Sequence, residues 1–333
     1  MTDLLVLGGT AWLGREIATQ AVARGWDVTC LARGESGIVA PGATLATADR
    51  DRRDAYREVA GRDWDAVVEV SWQPRHVREA AQALAGRALH WTYVSSVAAY
   101  APSRELIAED APLREPAGPD ERVDGSRYDA AKVRCELDTL VEAPEALLVR
   151  AGVIIGPGDP TERFAYWPRR AAQAGSGPML VPAAPAHPWQ LVDVRDLAAW
   201  NLDAIEAGVA GPFNVVGEQR ELAYVVELAR EVAAAVGPQV DVDGSWLVEH
   251  GVAPWKGPGS LPLWVPDDGG AARTGYHSGA RFSATGGRRR SLMESIRDIL
   301  AEERALGLDR HVEGGLTRER ELALLEEWGR RGA

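Results

Sequence analysis

The chain predicts an α/β fold: a doubly wound parallel sheet, with a smaller, mixed C-terminal region after it. Three observations predict it. Strand-like apolar runs alternate with helical patterns through the first half, which is the signature of βαβ units. The chain opens on a strand, a glycine-rich turn and a helix in immediate succession. After about residue 156 the alternation breaks into a stretch rich in Gly, Pro and aromatics.

The elements follow in order. Leu4-Leu-Val-Leu7 reads as a buried strand, Gly8-Gly-Thr-Ala-Trp-Leu-Gly14 as the turn, and 14–24 as a helix. Further strands are expected at 27–32, 43–47, 65–70, 89–95 and 146–155, with helices at 50–60, 74–86 and 127–142. Right-handed crossovers then wind helices onto both faces and put a ligand at the C-terminal strand ends. Later, 190–196 reads as a short strand entering a helix at 196–207, and Phe213-Asn-Val-Val216 as another strand. Helical patterns recur at 221–236, 291–305 and 317–330, with loop-like sequence at 246–280, including Trp264–Gly270. The expected division is a dinucleotide-binding core over 1–156, with 190–216 returning to it. Residues 157–189 and 217–333 would form a substrate-binding or cap region.

Composition narrows the class. At 333 residues the chain exceeds one compact core. A net charge of −12 argues against nucleic-acid binding, which needs a basic face. No apolar run reaches the ~20 residues of a membrane span, and the N-terminus runs straight into a strand without a basic leader. Cys30 and Cys135 have no metal-type spacing and read as reduced thiols. No metal site and no membrane partner are therefore expected, and the location expected is the cytoplasm. Twelve Trp stand against three Phe. Several of them (Trp72, Trp167, Trp189, Trp255, Trp264) fall in loop-like stretches. Such rings can wall an apolar pocket or simply pack a core.

Three features carry chemistry. The turn at 8–14 aims backbone N–H groups and a helix N-terminus at one point, which suits a phosphate. Gly8 allows the tight turn and Gly14 close helix–strand packing, while Ala11 stands where a third glycine is expected. Tyr128-Asp-Ala-Ala-Lys132 puts a phenol and an ammonium on one helix face. A cation beside a phenol favours phenolate, and such a phenol can exchange a proton near neutral pH. The alternative is an ordinary surface pair. Tyr93-Val-Ser-Ser-Val-Ala-Ala-Tyr100 ends a strand in hydroxyls. Ser96 there can hydrogen-bond a substrate oxygen, and Ser95 reads as a cap or turn serine.

Together these features resemble the extended short-chain dehydrogenase/reductases, the NAD-dependent epimerase/dehydratase family, whose core is a Rossmann-type sheet. Val94-Ser-Ser-Val-Ala-Ala-Tyr100 resembles its serine strand, and Tyr128 and Lys132 its Tyr-x-x-x-Lys pair. Leu148–Pro157 resembles its sixth strand, with Ala151 where proline is usual. Leu191-Val-Asp-Val-Arg-Asp-Leu-Ala198 resembles its later Asp-Val-x-Asp-Leu-Ala segment. The resemblance runs in order over roughly 4–216. It implies a catalytic set of Ser96, Tyr128 and Lys132. Tyr128 would pass a proton to or from the substrate oxygen, Lys132 would hold the nicotinamide ribose, and Ser96 would orient that oxygen. A cofactor would lie on Gly8, Thr10, Ala11, Trp12, Leu13, Gly14, Arg33, Asp49, Arg50, Val70, Ser71, Ala151 and Val153, together with Tyr128 and Lys132.

At the end of the second strand, Ala32 occupies the place of the acid that bonds a ribose 2′-OH, and Arg33 follows. An arginine there favours a 2′-phosphate, so NADP is expected ahead of NAD, with Arg15 a second possible phosphate partner. Family dehydratases carry an Asp-Glu pair directly after the serine or threonine, where this chain has Val97 and Ala98. The expected activity is NADP-dependent reduction of a carbonyl or imine on a small aromatic or apolar metabolite, with Tyr128 as proton donor. The alternatives are a nucleotide-sugar epimerase or dehydratase using NAD, and a non-catalytic NADP-binding sensor. Substrate contacts are expected at Trp72, Val97, Arg163, Tyr166, Trp167 and Trp189, with His187-Pro-Trp189 as a further aromatic stretch. Homodimers occur in the family, and one is possible here.

Overall fold

The computed structural model describes residues 1–183, 188–266 and 276–331. In chain order the elements are β1 (Asp3–Leu7), α1 (Trp12–Ala23), β2 (Asp27–Ala32), β3 (Thr44–Thr47), β4 (Trp64–Glu69), α2 (Pro74–Leu84), β5 (Ala88–Ser96), α3 (Tyr128–Glu142), β6 (Leu147–Ala151), β7 (Val153–Ile155), α4 (Tyr166–Ala174), β8 (Met179–Ala183), β9 (Pro188–Asp193), α5 (Val194–Glu206), β10 (Gly211–Val215), β11 (Gln219–Glu221), α6 (Leu222–Ala233), β12 (Gln239–Asp243), α7 (Gly244–Glu249), β13 (Ala253–Trp255), β14 (Ser260–Pro262), α8 (Ala280–Ala284), α9 (Leu292–Leu306) and α10 (Arg318–Gly329). They fall into two compact units. The first comprises 1–154, 192–217 and 276–289. The second comprises the described residues of 155–191, 218–275 and 290–333.

The first unit is built on a seven-stranded sheet of order β10-β6-β5-β4-β1-β2-β3, parallel throughout. The alternation within β1 shows why helices cover both faces. Leu5 and Leu7 join Val67, Tyr93 and Leu148 against Val77, Ala80, Ala81 and Leu84 of α2 and Cys135 of α3. Leu4 and Val6 point the other way and join Val28, Cys30, Val68 and Val94 against Ile17, Ala18 and Ala21 of α1 and Ala198 and Leu202 of α5. Successive strand residues alternate faces, so one run of apolar residues feeds two cores. The strand order reverses between β1 and β4, which opens a crevice at their C-terminal ends.

Two local expectations change. Residues 50–60 form a chain of turns, not a helix. Arg52 N–H donates to the Asp49 carbonyl (3.0 Å), Arg57 N–H to Asp54 (3.1 Å) and Ala60 N–H to Tyr56 (2.8 Å). The Arg50 and Tyr56 side chains are drawn instead into a buried cluster with Glu69, and that tertiary demand overrides helical periodicity. The strand expected over 146–155 is broken at Gly152, whose N–H still donates to Val215 (3.0 Å).

The second unit pairs β8 with β12 in parallel and β13 with β14 in parallel. α4 and α6 pack together, each also against α9. Buried ion pairs tie its helices: Arg169 lies 3.3 Å from Glu303, and Arg170 3.0 Å from Glu321. Among the described residues no helix is long and apolar enough to cross a membrane.

Candidate active site

The crevice begins at the turn from β1 to α1. Gly8 has φ of +100°, and a Cβ on it would come within 2.6 Å of Val70 Cγ2. Its N–H donates to the Leu31 carbonyl (2.9 Å) and its carbonyl accepts from Ala11 N–H (3.1 Å), closing the turn. A Cβ on Gly14 would collide with the Gly8 carbonyl, so glycine there is what lets α1 start against the strand end. Ala11 is the N-cap residue of α1, and no side chain caps the helix there. Ala11 is exposed, Trp12 and Leu13 are half-buried and Thr10 is buried. The cradle is therefore open backbone at a helix N-terminus, which fits a pyrophosphate.

Arg33 follows β2 with its side chain 56% exposed, 3.3 Å from Glu35. Asp49 is exposed, its carboxylate accepting from Asp51 N–H (3.0 Å). Arg50, grouped with these from the sequence, turns inward instead. Its guanidinium forms a two-pronged pair with the Glu69 carboxylate, one prong at 2.9 Å, and donates to the Tyr56 hydroxyl (2.9 Å) and the His76 carbonyl (2.8 Å). Glu69 is fully buried, so desolvation compels this pairing. Its carboxylate also accepts from Ser71 N–H (2.7 Å).

Ser71 is the hub of the site. Its carbonyl accepts from Tyr93 Oη (3.2 Å) and from Lys132 Nζ (3.3 Å). Burial pushes the Tyr93 phenol well above its usual pKa, so it stays a donor. Lys132 Nζ also donates to the Val94 carbonyl (2.7 Å). The Lys132 side chain is buried (3% exposed), and its ammonium sits 4.9 Å from the Tyr93 ring and 5.7 Å from the Tyr128 ring. Of its three hydrogens, two are committed to carbonyls at the ends of β4 and β5. Tyr128 is half-buried and opens α3. Trp72 packs beside it, ring centroids 5.7 Å apart at 57°, and rests on Ala117, Val123 and Ala131.

Ser96 ends β5 and caps the 3-10 turn Val97–Ala99, its Oγ accepting from Ala98 N–H (3.2 Å). The cap role expected for Ser95 thus belongs to Ser96. Ser95 is buried and donates to Glu136 Oε1 (2.5 Å). Behind it, Arg150 Nη2 donates to Glu136 Oε2 (2.7 Å) and Arg150 Nη1 to Tyr100 Oη (2.8 Å). Tyr100 Oη in turn donates to Asn214 Oδ1 (2.7 Å). Each buried polar group in this set has a partner, which makes the serine strand end rigid. Ala151 lies opposite Ser96 in the β5–β6 register and is buried; Val153, at the start of β7, is half-buried.

The structure thus brings Ser71, Trp72, Tyr93, Tyr128 and Lys132 together, with Ser96 two residues beyond the Val94 carbonyl that holds Lys132. Tyr93 and Glu69 escape the sequence reading. Their signal is faint: a tyrosine and an acid inside otherwise apolar strand sequence.

The aromatic residues singled out from the second half lie in the second unit. Tyr166, Trp167 and Trp189 are fully buried, so they pack its core rather than face an open wall. Tyr166 and Trp167 pack edge to face at 5.0 Å, and Trp167 Nε1 donates to the Pro262 carbonyl (2.9 Å). Trp189 stacks on Trp255 at 4.9 Å, and Arg163 lies over Trp255 at 5.2 Å. His187, and residues 267–270 of the Trp264–Gly270 stretch, lie outside the described residues. Burial pushes both thiols, Cys30 and Cys135, up to about 12, which disfavours their thiolate forms.

A parallel sheet with a glycine cradle at its switch point, and a Tyr–Lys pair beside a serine at the strand ends, is the arrangement of the extended short-chain dehydrogenase/reductase fold. The chain belongs to the NAD dependent epimerase/dehydratase family, whose model matches residues 4–217. No curated protein matches it in sequence. Solved structures do match in fold. One is a Burkholderia cenocepacia J2315 protein provisionally named an epimerase (21% identity, TM-score 0.70, 91% of this chain and 98% of that one). Another is UDP-glucose 4-epimerase from Thermus thermophilus, solved with NAD (19%, TM-score 0.65, 91% and 99%). A third is the Bordetella bronchiseptica enzyme WbmG, solved with NAD and UDP (14%, TM-score 0.67, 92% and 96%).

Proposed function

We propose that this protein is a nicotinamide-dinucleotide enzyme that interconverts a hydroxyl and a carbonyl on a nucleotide-linked sugar, in the manner of an epimerase. The observation that carries the reading is Lys132. Two strand-end carbonyls hold its buried ammonium 5.7 Å from the Tyr128 ring. The nucleotide-sugar part rests on the family and on neighbours that include a UDP-glucose 4-epimerase solved with NAD and an enzyme solved with NAD and UDP.

The uncapped α1 N-terminus and the Gly8–Gly14 cradle fit a pyrophosphate, and Lys132 fits a ribose hydroxyl. The dinucleotide, when bound, supplies the hydride acceptor and donor. The chain's residues handle the proton. Tyr128 Oη exchanges it with the substrate oxygen. The Ser96 hydroxyl, whose oxygen already accepts from Ala98 N–H, uses its own hydrogen to orient that oxygen. Trp72 limits the space beside Tyr128 on one side.

A second reading is favoured by the end of β2. Ala32 and the exposed Arg33 suit the 2′-phosphate of NADP, and an NADP enzyme of this family would reduce a carbonyl or imine of a small aromatic or apolar metabolite in net turnover. One experiment separates the two. The dinucleotide carried by the isolated protein is identified. The protein is then incubated with UDP-glucose and UDP-galactose, followed by NMR, and with NADPH and a carbonyl panel, followed at 340 nm. Epimerisation without net cofactor consumption supports the first reading, and NADPH oxidation the second. In either case Tyr128→Phe is expected to lower kcat by about 10²–10⁴-fold with dinucleotide binding retained. Dinucleotide binding with no turnover, unchanged in Tyr128→Phe, would leave a non-catalytic sensor and refute both.

A further inference from the structure

The proton-handling pair stands on two separate elements. Ser96 caps the turn Val97–Ala99, and Tyr128 opens α3. A strap of chain, residues 112–117, joins them. Ala101 N–H donates to the Pro112 carbonyl (3.0 Å), and Arg114 N–H to the Ala99 carbonyl (2.9 Å). Tyr100 and Leu113 form an antiparallel bridge between these bonds. At the other end Ala117 N–H donates to the Ala130 carbonyl (2.9 Å), in the first turn of α3.

Arg114 lies in the middle of this strap, and its side chain touches both elements. Its Nε donates to the Ala98 carbonyl (3.2 Å) and lies 3.3 Å from Asp129 Oδ2. Ala98 is the residue whose N–H is held by Ser96 Oγ. Asp129 is the residue next to Tyr128, and its other oxygen accepts from Ala130 N–H (2.8 Å). One guanidinium therefore bridges the turn that aims Ser96 and the helix start that carries Tyr128.

We propose that Arg114 is a positioning residue that sets the separation of the Ser96 hydroxyl from the Tyr128 phenol. This rests on the reading of Ser96 and Tyr128 as the proton-handling pair. The single Nε–H donates to the carbonyl while the delocalised guanidinium charge faces the carboxylate, so one planar head serves both. A lysine keeps the charge but presents a single point, so it restores part of the geometry. A shift of about 1 Å between reacting groups costs on the order of 10²-fold in rate.

The test compares wild type, Arg114→Ala, Arg114→Lys and Asp129→Asn in the full chain. Amide hydrogen exchange is read over 96–101 and 127–131, NADPH and NADH binding by fluorescence, and turnover on whichever substrate the wild type accepts. Arg114→Ala should speed exchange in both segments at least tenfold and lower kcat about 100-fold, with KM and dinucleotide affinity changed less than threefold. Arg114→Lys should recover part of kcat, and Asp129→Asn should reproduce part of the loss. Exchange altered in neither segment, or in only one, overturns the proposal. So does a kcat within threefold of wild type, or a loss confined to KM. If Arg114→Ala does not fold, the Lys and Asn variants decide by the same criteria. If the wild type turns over nothing, the catalytic reading fails and the exchange arm still decides whether Arg114 couples the two segments.

Discussion

At the scale of single residues, the site works by committing donors in advance. Lys132 gives two of its hydrogens to the Ser71 and Val94 carbonyls, so its ammonium cannot wander. Ser71 is itself fixed through Glu69, whose charge is balanced by Arg50. This explains why Arg50, adjacent in sequence to the exposed Asp49, is unlike it in role. A buried carboxylate needs its cation more than a cofactor does. Arg33 is the opposite case, exposed and, among the described residues, paired with an equally exposed Glu35. Arg33→Ala is expected to weaken NADPH binding about tenfold or more while leaving NADH nearly unchanged, measured by fluorescence titration of both. Equal losses would argue against NADP preference.

At the scale of elements, the turn from β1 to α1 and the start of α3 are what bring the glycine cradle and the Tyr128–Lys132 pair to the sheet edge. The first is steric. Gly14 fits because a Cβ there would strike the Gly8 carbonyl. Gly14→Ala is expected to cost about 1–3 kcal/mol by overpacking and to weaken dinucleotide binding, read together by thermal melts with and without NADPH. Gly61→Ala, where an added Cβ meets nothing within 4 Å, is the control and should change neither. The elements themselves were largely legible in the sequence. β2 runs over Asp27–Ala32 as its apolar run suggests, and α3 opens at Tyr128 so that Lys132 shares its face. Residues 50–60 were not legible, because the pull on Arg50 and Tyr56 comes from Glu69, far along the chain. The second unit's aromatics were misleading for a similar reason: loop-like sequence around Tyr166, Trp167 and Trp189 says nothing about what closes over them.

At the scale of the whole molecule, stability should carry a pH signature from buried histidine. Burial pushes His277 down to about 4 from an ordinary 6.5, its ring lying 5.4 Å from that of Tyr100. Above pH 6.5 the group is neutral folded or unfolded, and its full contribution is present. Between pH 6.5 and 4 the unfolded chain takes up a proton that the folded one refuses, so stability falls as pH falls, by up to about 3 kcal/mol. Urea midpoints for wild type and His277→Gln across that window should converge as pH drops. Parallel curves would mean that His277 does not titrate in this way. Burial of His90 lowers its pKa too, so the variant should retain part of the slope.

The sequence by itself determined the alternation of strands and helices, the glycine cradle and the Tyr–Lys spacing. Each of these is a local matter of apolar period, backbone freedom or helical geometry within a few residues. Only the tertiary structure decided that Ser71 would hold Lys132, that Arg50 would serve Glu69, that Arg114 would bridge Ala98 and Asp129, and that Tyr166, Trp167 and Trp189 would be interior. Those pairings join residues far apart in the chain, and burial selects them: a polar group removed from water must find whatever partner the fold brings within reach.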